Sequence, residues 1–322
     1  MKESSKLKIL ITGVNGFAAS HLARYLVNEG NEVHGTIRVP GRNDLYTIRD
    51  IESKLTLRLI ELTDFISVEK VLNEVQPDEI YHLAAQTFVK ASWDSPLETY
   101  NTNVCGTVNL FEAAKRLPKI PHILVTSTSE VYGEIEGAQT EETVPAPNTH
   151  YGISKYAQDL ISRFYAKSFN MPVVITRAAN ITGSGRGDQF VDSSFARQIT
   201  EMEKGLREPI IRHGNLESSR DFIDAKDTVR GYVMSLRSEK WGEVFCLGSG
   251  KLTKIKDLLN IMISLSTIKT IKTEVDPKRL RPVDTPFSFV DAKKANKVLG
   301  WYPKVPLKES LKDLLDFWRE RL

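Results

Sequence analysis

The stretch that decides the fold is residues 7–26, LKILITGVNGFAASHLARYL. Its first six residues form a short apolar run rich in β-branched side chains, which predicts a buried strand. A glycine turn follows, and residues 20–26 read as a helix. In this context Gly13 permits the tight turn, Gly16 lets the backbone approach a pyrophosphate, and Ala19 stands where a third glycine is commonest. The stretch therefore predicts a dinucleotide site at the N-terminus of a helix.

The next predicted strand, residues 32–37, bears on which dinucleotide would bind. It ends at Arg38, and Arg42 lies close behind it. A site for NAD prefers a carboxylate at this point, which accepts a hydrogen bond from the ribose 2′-hydroxyl. A guanidinium instead suits a 2′-phosphate, so the pattern favours NADP over NAD. The alternative is that the two arginines only keep a loop solvated.

Two short segments carry candidate chemistry, Thr128 with Glu130 in the first and Tyr151 with Lys155 in the second. On a helix Tyr151 and Lys155 share a face, and an ammonium beside a phenol is expected to lower the pKa of the phenol. Such a tyrosine is a good proton acceptor for an alcohol. Thr128 could hydrogen-bond the same oxygen, and Glu130 could take a carbon-bound proton. The Tyr-x-x-x-Lys pair alone is common on helix surfaces, so its weight comes from the upstream nucleotide site.

Strands alternate with helices along residues 1–180, which predicts the α/β class and a doubly wound parallel (Rossmann) sheet. Further strands are expected at 57–60, 79–83, 123–126 and 173–176, and helices at 67–75, 100–116 and 151–168. Later helices are expected at 195–204, 227–236, 255–265 and from 307, with a strand at 243–247. We therefore predict an NADP-binding Rossmann domain at 1–180. Residues 181–322 would form a smaller C-terminal α/β substrate lobe that partly returns to the sheet.

Composition and charge narrow the class of protein. The chain has 322 residues, 41% of them hydrophobic, and a net charge of +3. It can therefore bury a large core, and it gives no reason to expect nucleic acid or membrane binding. Cys105 and Cys246 lack metal-ligand spacing and suit buried positions in a reducing compartment. That spacing gives no reason to expect a metal site. The first residues contain no long apolar segment, so we expect no signal peptide, no membrane anchor and a cytoplasmic protein.

Five motifs, in their order and spacing, resemble those of the extended short-chain dehydrogenase/reductase family over nearly the whole chain. They are Thr12-Gly13-x-x-Gly16, His82-Leu83-Ala84-Ala85, Asn103-Val104-x-Gly106-Thr107, Thr128-x-Glu130-Val131-Tyr132-Gly133 and Tyr151-x-x-x-Lys155. Within that family the chain looks most like the enzymes that act on nucleotide sugars. Three segments narrow the resemblance to the GDP-mannose 4,6-dehydratases and the GDP-4-keto-6-deoxymannose reductases, namely 32–38, 214–221 and 281–284 followed by 299–303.

The resemblance implies a role for each matching residue. The catalytic group would be Thr128, Glu130, Tyr151 and Lys155. The residues that hold the cofactor would be Gly13, Asn15, Gly16, Phe17, Arg38, Glu61, Leu62, Leu83, Ala84, Ala85, Thr126, Tyr151 and Lys155. The residues that hold a GDP-sugar would be Asn180, Asn215, Arg220, Arg281 and Asp284. Arginines suit a diphosphate because their planar guanidinium groups bind it in a bidentate manner, although a single arginine could equally form a surface ion pair.

The activity implied by the resemblance is dehydration of GDP-mannose to GDP-4-keto-6-deoxymannose by internal hydride transfer through bound NADP. Three departures keep alternatives open. Residues 180–187 lack the His and paired Arg of the dehydratase pattern, 195–199 with 208–211 look closer to the reductases, and Glu61 stands where Asp is usual. The alternatives are an NADPH-dependent 4-reductase, another nucleotide-sugar epimerase or dehydratase, and a non-catalytic NADP-binding protein.

The resemblance also implies an assembly. The predicted helices 100–116 and 151–168 are similar to the pair that forms a four-helix dimer interface in the family. We therefore expect a homodimer or a dimer of dimers, with the loop 38–43 as the candidate second contact.

Overall fold

The computed structural model describes residues 6–38, 45–135, 137–280 and 287–322. Within these residues the strands are β1 (Lys8–Thr12), β2 (Glu32–Ile37), β3 (Leu55–Leu59), β4 (Glu79–His82), β5 (His122–Thr128), β6 (Val173–Ala178), β7 (Asn180–Thr182), β8 (Ile210–His213), β9 (Ser219–Asp224), β10 (Val244–Leu247), β11 (Leu252–Lys254), β12 (Lys272–Val275) and β13 (Phe287–Ser288). The α-helices are α1 (Phe17–Asn28), α2 (Phe65–Val75), α3 (Val89–Asp94), α4 (Pro96–Tyr100), α5 (Gly106–Lys115), α6 (His150–Phe169), α7 (Val191–Glu203), α8 (Ala225–Leu236), α9 (Ile255–Ser264), α10 (Lys293–Leu299) and α11 (Leu307–Arg321).

The described part of the chain builds a seven-stranded sheet in the order β10-β6-β5-β4-β1-β2-β3. Every neighbouring pair in it is parallel. Helices α1 and α8 cover one face, and α2, α5 and α6 cover the other. Ile9 and Ile11 point into the first of these cores and Leu10 into the second, which explains why β1 reads as a continuous apolar run. The predicted α/β class and doubly wound parallel sheet are confirmed.

The strand order reverses between β1 and β4. In open parallel sheets a crevice forms at such a switch point, outside the carboxyl ends of the strands. The glycine turn after β1 and the segment after β4 therefore meet at the same edge of the sheet. The predicted catalytic and cofactor-binding residues that the structure describes lie at this edge as well.

The C-terminal half adds a second layer and returns one strand to the main sheet. Strand β9 pairs with β7, β11 and β13, and α7, α9 and α11 enclose a separate apolar core that includes Phe195, Leu258 and Trp318. Strand β10 lies beside β6, as expected for the strand predicted at 243–247. The division of the chain at residue 180 stays a prediction.

Several elements differ from the sequence-based expectations. The predicted helix 100–116 is made of α4, a π-helical turn at Asn101–Cys105 and α5. Strands β8, β9 and β12 were not anticipated, because their residues are largely polar and their pairing is decided by tertiary contacts rather than by local period. The expectation that both cysteines are buried is wrong for Cys105, which is exposed on the π-helical turn, whereas Cys246 is buried.

Candidate active site

A cavity of about 1030 Å³ opens along the carboxyl ends of the central strands. Its wall includes every predicted site residue that the structure describes: Gly13, Asn15, Gly16, Phe17, Arg38, Glu61, Leu62, Leu83, Ala84, Ala85, Thr126, Thr128, Glu130, Tyr151, Lys155, Asn180, Asn215 and Arg220. The predicted residues Arg42, Arg281 and Asp284 lie outside the described residues, as does most of the loop 38–43.

The glycine turn after β1 forms a cradle for an anionic group. Gly13 has a φ of +68°, and a Cβ added there would lie 3.0 Å from Ala84 Cα. Gly16 precedes the first residue of α1 and has no side chain to cap it. The first amides of a helix have no partner within the helix and favour a negative charge. Because Gly16 and Phe17 line the cavity, the turn fits the pyrophosphate of a dinucleotide.

The cavity wall also includes charged residues that follow β2 and β3. Arg38 follows β2, and its Nη1 lies 3.7 Å from Glu98 Oε1 in an exposed ion pair. Glu61 Oε1 accepts hydrogen bonds from the amide of Thr63 at 3.1 Å and from its hydroxyl at 2.8 Å. The Glu61 carboxylate is therefore held in place, and Arg38 presents to the cavity a guanidinium, a group that suits a ribose 2′-phosphate.

The four predicted catalytic residues are brought together by two local devices. Thr128 ends β5, and its Oγ1 accepts a hydrogen bond of 3.2 Å from the amide of Glu130. Gly152 follows Tyr151, and a Cβ there would lie 2.7 Å from the carbonyl oxygen of Glu130. Helix α6 can therefore begin directly against the turn that carries Glu130. Lys155 lies one turn further along α6 and also lines the cavity.

The electrostatics of this group correct the expectation that Lys155 lowers the pKa of Tyr151. Burial and the charge of Glu130 raise the pKa of Tyr151, while a hydrogen bond from Thr128 and the charge of Arg186 act in the opposite direction. Burial lowers the pKa of Lys155 to about 7, and the charge of the Asp159 carboxylate only partly offsets this. The expectation failed because residue spacing reports adjacency on a helix, whereas the cost of desolvating a charge depends on everything packed around it.

Asn103 of the family-like Asn-Val-x-Gly-Thr motif holds α6 in place. Its Oδ1 accepts from the amide of Gln86 at 2.8 Å, and its Nδ2 donates to Ser154 Oγ at 2.9 Å. The amide group thus joins the segment after β4 to the helix that carries Tyr151 and Lys155. Its place on the π-helical turn agrees with the frequent use of such turns at functional sites.

His82, at the end of β4, connects β1 to the helix that follows the π-helical turn. Its Nδ1 lies 2.9 Å from Thr12 Oγ1 and its Nε2 lies 3.0 Å from Thr107 Oγ1. Because the Thr107 hydroxyl donates to the carbonyl oxygen of Asn103, the His82 Nε2–H is the donor to Thr107. Burial, together with the charge of Lys155, lowers the pKa of His82 to about 3. The imidazole is therefore a neutral structural bridge and not a catalytic acid.

Arg186 is a site residue to which the sequence analysis gave no role. It is 8% exposed and lines the cavity. Its Nε lies 3.0 Å from Asp192 Oδ1, and its Cζ lies 4.1 Å from the ring centroid of Phe190. In the sequence Arg186 is a single arginine in the glycine-rich run 183–187. Such a run has no helical or strand periodicity, and no acidic partner stands at a helical spacing, so nothing marks Arg186 as a site residue.

The predicted substrate-binding residues that the structure describes lie on β7, on β9 and in the segment before β9. Asn180 Nδ2 donates to the carbonyl oxygen of Asp221 at 3.3 Å, and Arg220 lies on β9. Arg279 was not predicted; it lines the same wall, and its Nη1 donates to Ser194 Oγ at 2.8 Å. This part of the cavity wall therefore presents arginines suited to a phosphate group.

The described residues contain no group of His, Cys, Asp and Glu side chains that could hold a metal ion. Their helices include none with the length and hydropathy of a membrane span.

Comparisons with known proteins agree with this geometry. A model of the family described as "GDP-mannose 4,6 dehydratase" matches residues 10–314. The GDP-6-deoxy-D-mannose reductase of Pseudomonas aeruginosa is 28% identical over 321 residues, which cover 98% of each chain. The human GDP-mannose 4,6 dehydratase is 30% identical over 336 residues, which cover 95% of this chain and 90% of the human protein.

A solved structure extends the likeness to three dimensions. The structure of RMD from Pseudomonas aeruginosa, complexed with NADPH, has a TM-score of 0.84 and 26% identity, covering 98% of this chain and 100% of its own. The resemblance to nucleotide-sugar short-chain dehydrogenases/reductases is thereby confirmed. With a cavity at the switch point, a family model that spans nearly the whole sequence and relatives of matching length, this chain belongs to the GDP-mannose 4,6-dehydratase family of enzymes.

Proposed function

We propose that this protein is a GDP-mannose 4,6-dehydratase, which converts GDP-mannose to GDP-4-keto-6-deoxymannose with bound NADP. The observation that carries the proposal is the carboxylate of Glu130 in the same cavity wall as Thr128, Tyr151 and Lys155. Alcohol oxidation requires only the tyrosine and its partners. A carboxylate within electrostatic reach of Tyr151 adds a base for a carbon-bound proton, which dehydration also needs.

The residues divide the work by their environments. A bound nicotinamide supplies the hydride acceptor and donor. Tyr151, hydrogen-bonded by Thr128, would hold the proton of the sugar 4-hydroxyl. Glu130 would take the proton from C5, which a neighbouring 4-ketone makes acidic, and would return a proton to the departing 6-hydroxyl. Lys155 would stabilise the charge that develops on the Tyr151 oxygen.

The proposed cofactor is NADP, with NAD second. The glycine cradle fits the pyrophosphate of either dinucleotide, and Arg38 lines the cavity with a guanidinium that would suit a 2′-phosphate. The similar structure of RMD from Pseudomonas aeruginosa contains NADPH. A direct binding comparison of NADP and NAD, with Arg38→Gln expected to weaken NADP more than NAD, tests this part of the proposal.

A second candidate function is the NADPH-dependent reduction of GDP-4-keto-6-deoxymannose at C4. The observation that favours it is the likeness to the Pseudomonas aeruginosa reductase over 98% of both chains. A reductase needs no proton abstraction at C5. Glu130 is therefore the residue whose replacement separates the two activities.

The deciding experiment incubates the purified protein with GDP-mannose and NADP, without added reductant, and follows the loss of one water by mass spectrometry. We expect the dehydrated product, with Glu130→Gln about 10²–10⁴-fold slower. The matched control is Glu134→Gln, because Glu134 is an exposed glutamate just beyond the turn that carries Glu130 and is not part of the cavity wall. Unchanged GDP-mannose, together with NADPH consumption on the 4-keto sugar that survives Glu130→Gln, would make the protein a reductase.

We also propose that two copies associate through α6. This helix exposes Ile153, Leu160 and Phe164 to 42%, 48% and 54%, a spacing that puts all three on one helix face. Phe164→Glu should shift the mass measured by light scattering to that of a monomer, whereas Leu252→Glu, at an apolar side chain of similar exposure on β11, should leave the mass unchanged. A monomeric wild type would contradict this assembly.

A further inference from the structure

We propose that Tyr232 is a further cofactor-binding residue, whose hydroxyl donates a hydrogen bond to the carboxamide oxygen of the nicotinamide from the side of the sheet opposite Tyr151. The inference rests on the proposed function only in placing a nicotinamide dinucleotide in the cavity. It adds a residue that none of the sequence motifs includes.

The hydroxyl of Tyr232 differs from those of the other buried tyrosines. Tyr81 donates to Glu79, Tyr132 to the carbonyl oxygen of Thr140, and Tyr165 to a glutamate of α5. Tyr232 is 2% exposed and lines the cavity. Among the described residues the Tyr232 hydroxyl has no hydrogen-bond partner, and its oxygen is not one of the atoms that are sealed from solvent without a partner. The hydroxyl is therefore accessible from the cavity, where pairing with a ligand would offset the cost of its largely buried position.

The position of Tyr232 selects the ring end of the dinucleotide. Helix α8 packs beside α1 on one face of the sheet, whereas α6 with Tyr151 packs on the other. Both tyrosines line the cavity, as do Thr128 and Ala178 at the carboxyl ends of β5 and β6. The charge of Tyr151 influences the pKa of Tyr232, so the two phenols lie near each other. A flat ring placed across these strand ends would therefore have one phenol on each side.

Helix α8 holds Tyr232 in a fixed place. A Cβ at Gly231 would lie 2.8 Å from Leu247 Cδ1 and 3.0 Å from Trp301 Nε1, so the glycine permits a close approach to β10. Trp301 Nε1 donates to the carbonyl oxygen of Asp227 at 3.0 Å. The first turn of the helix and its middle are thus anchored to separate elements, and the phenol requires little further ordering when a ligand binds.

The chemistry favours the cofactor over the sugar. Burial and Tyr151 raise the pKa of Tyr232, so the phenol stays protonated and can donate to a carbonyl oxygen. Helix α8, which carries Tyr232, packs beside α1, whose first residues belong to the proposed pyrophosphate cradle. Asn215 and Arg220, which are proposed to hold the substrate, lie before β9 and on β9 instead. A carboxamide is the group of the dinucleotide ring that offers a carbonyl acceptor.

The test measures binding by calorimetry without any sugar. Tyr232→Phe should bind NADP about 2- to 12-fold more weakly than the wild type, the range for one net hydrogen bond. It should bind 2′-phospho-ADP-ribose, which lacks the nicotinamide, as tightly as the wild type. Tyr81→Phe is the matched control, because it removes an equally buried hydroxyl that points to Glu79; it should bind both ligands like the wild type. Equal NADP affinities for Tyr232→Phe and the wild type, or an equal loss for the fragment, would overturn the proposal.

A second measurement uses the wild type with an altered ligand, so it does not depend on the folding of a variant. The NADP analogue with hydrogen in place of the carboxamide should bind the wild type more weakly than NADP does, by at least the factor lost in Tyr232→Phe. The Tyr232→Phe variant, with its fold checked by thermal melting, should discriminate less than the wild type between NADP and the analogue. A wild type that binds the analogue as tightly as NADP would overturn the assignment. A wild type that binds no dinucleotide would instead refute the cofactor proposal itself, and this inference with it.

Discussion

Replacing Lys155 with methionine should stabilise the folded protein at neutral pH. Lys155 is 3% exposed, and burial lowers its pKa from 10.5 to about 7. Between these values the unfolded chain binds more protons than the native one, so the wild type gains stability as the pH rises through this window. The difference of about 3.5 pKa units corresponds to a cost of up to about 5 kcal/mol at pH 7 and below.

The variant removes this cost, so its advantage must depend on pH. Lys155→Met should unfold with a free energy up to about 5 kcal/mol above the wild type at pH 7, and only about 2 kcal/mol above it at pH 9, where 1.5 pKa units remain. Urea denaturation between pH 6.5 and 9 measures both values. The same variant should lose activity, because Lys155 is proposed to stabilise the charge that develops on the Tyr151 oxygen.

The control for this prediction is Lys167→Met, at an exposed lysine near the end of the same helix. It should show no comparable gain and no comparable slope with pH. A gain for Lys155→Met that is constant from pH 6.5 to 9, or a loss at every pH, would refute the reasoning that desolvation of the ammonium dominates at this site.

Three further predictions concern single residues. Gly13→Ala should weaken dinucleotide binding by about 10-fold in calorimetry, because its φ of +68° is strained for alanine and its Cβ would lie 3.0 Å from facing backbone; unchanged affinity would contradict the cradle. Asp159→Asn should lower the free energy of unfolding, measured in urea, by about 3–5 kcal/mol, since its buried partner Arg177, at 2.7 Å, loses its counter-charge; a change below about 1 kcal/mol would show that the pair is not needed. Arg186→Met should lower kcat/KM, because the charge of Arg186 favours the ionised form of Tyr151; an unchanged kcat/KM would show that Arg186 does not assist Tyr151.

Much of the fold could be predicted from local patterns. The strand, glycine turn and helix of residues 7–26 report the sheet and its switch point, because backbone conformation in short apolar runs and glycine turns depends mainly on neighbouring residues. The spacing of Tyr151 and Lys155 likewise places both on one face of α6. The described residues singled out from these patterns and from the family resemblance do line one cavity.

Tertiary structure alone decided the rest. The sheet around β9 buries Asp221 and Asp224, so its strands carry no apolar alternation to read. Arg186 and Tyr232 reach the cavity from segments without a motif. The sequence set Lys155 beside Tyr151, but only packing determined that its ammonium is desolvated, because burial is a sum over neighbours that are distant along the chain.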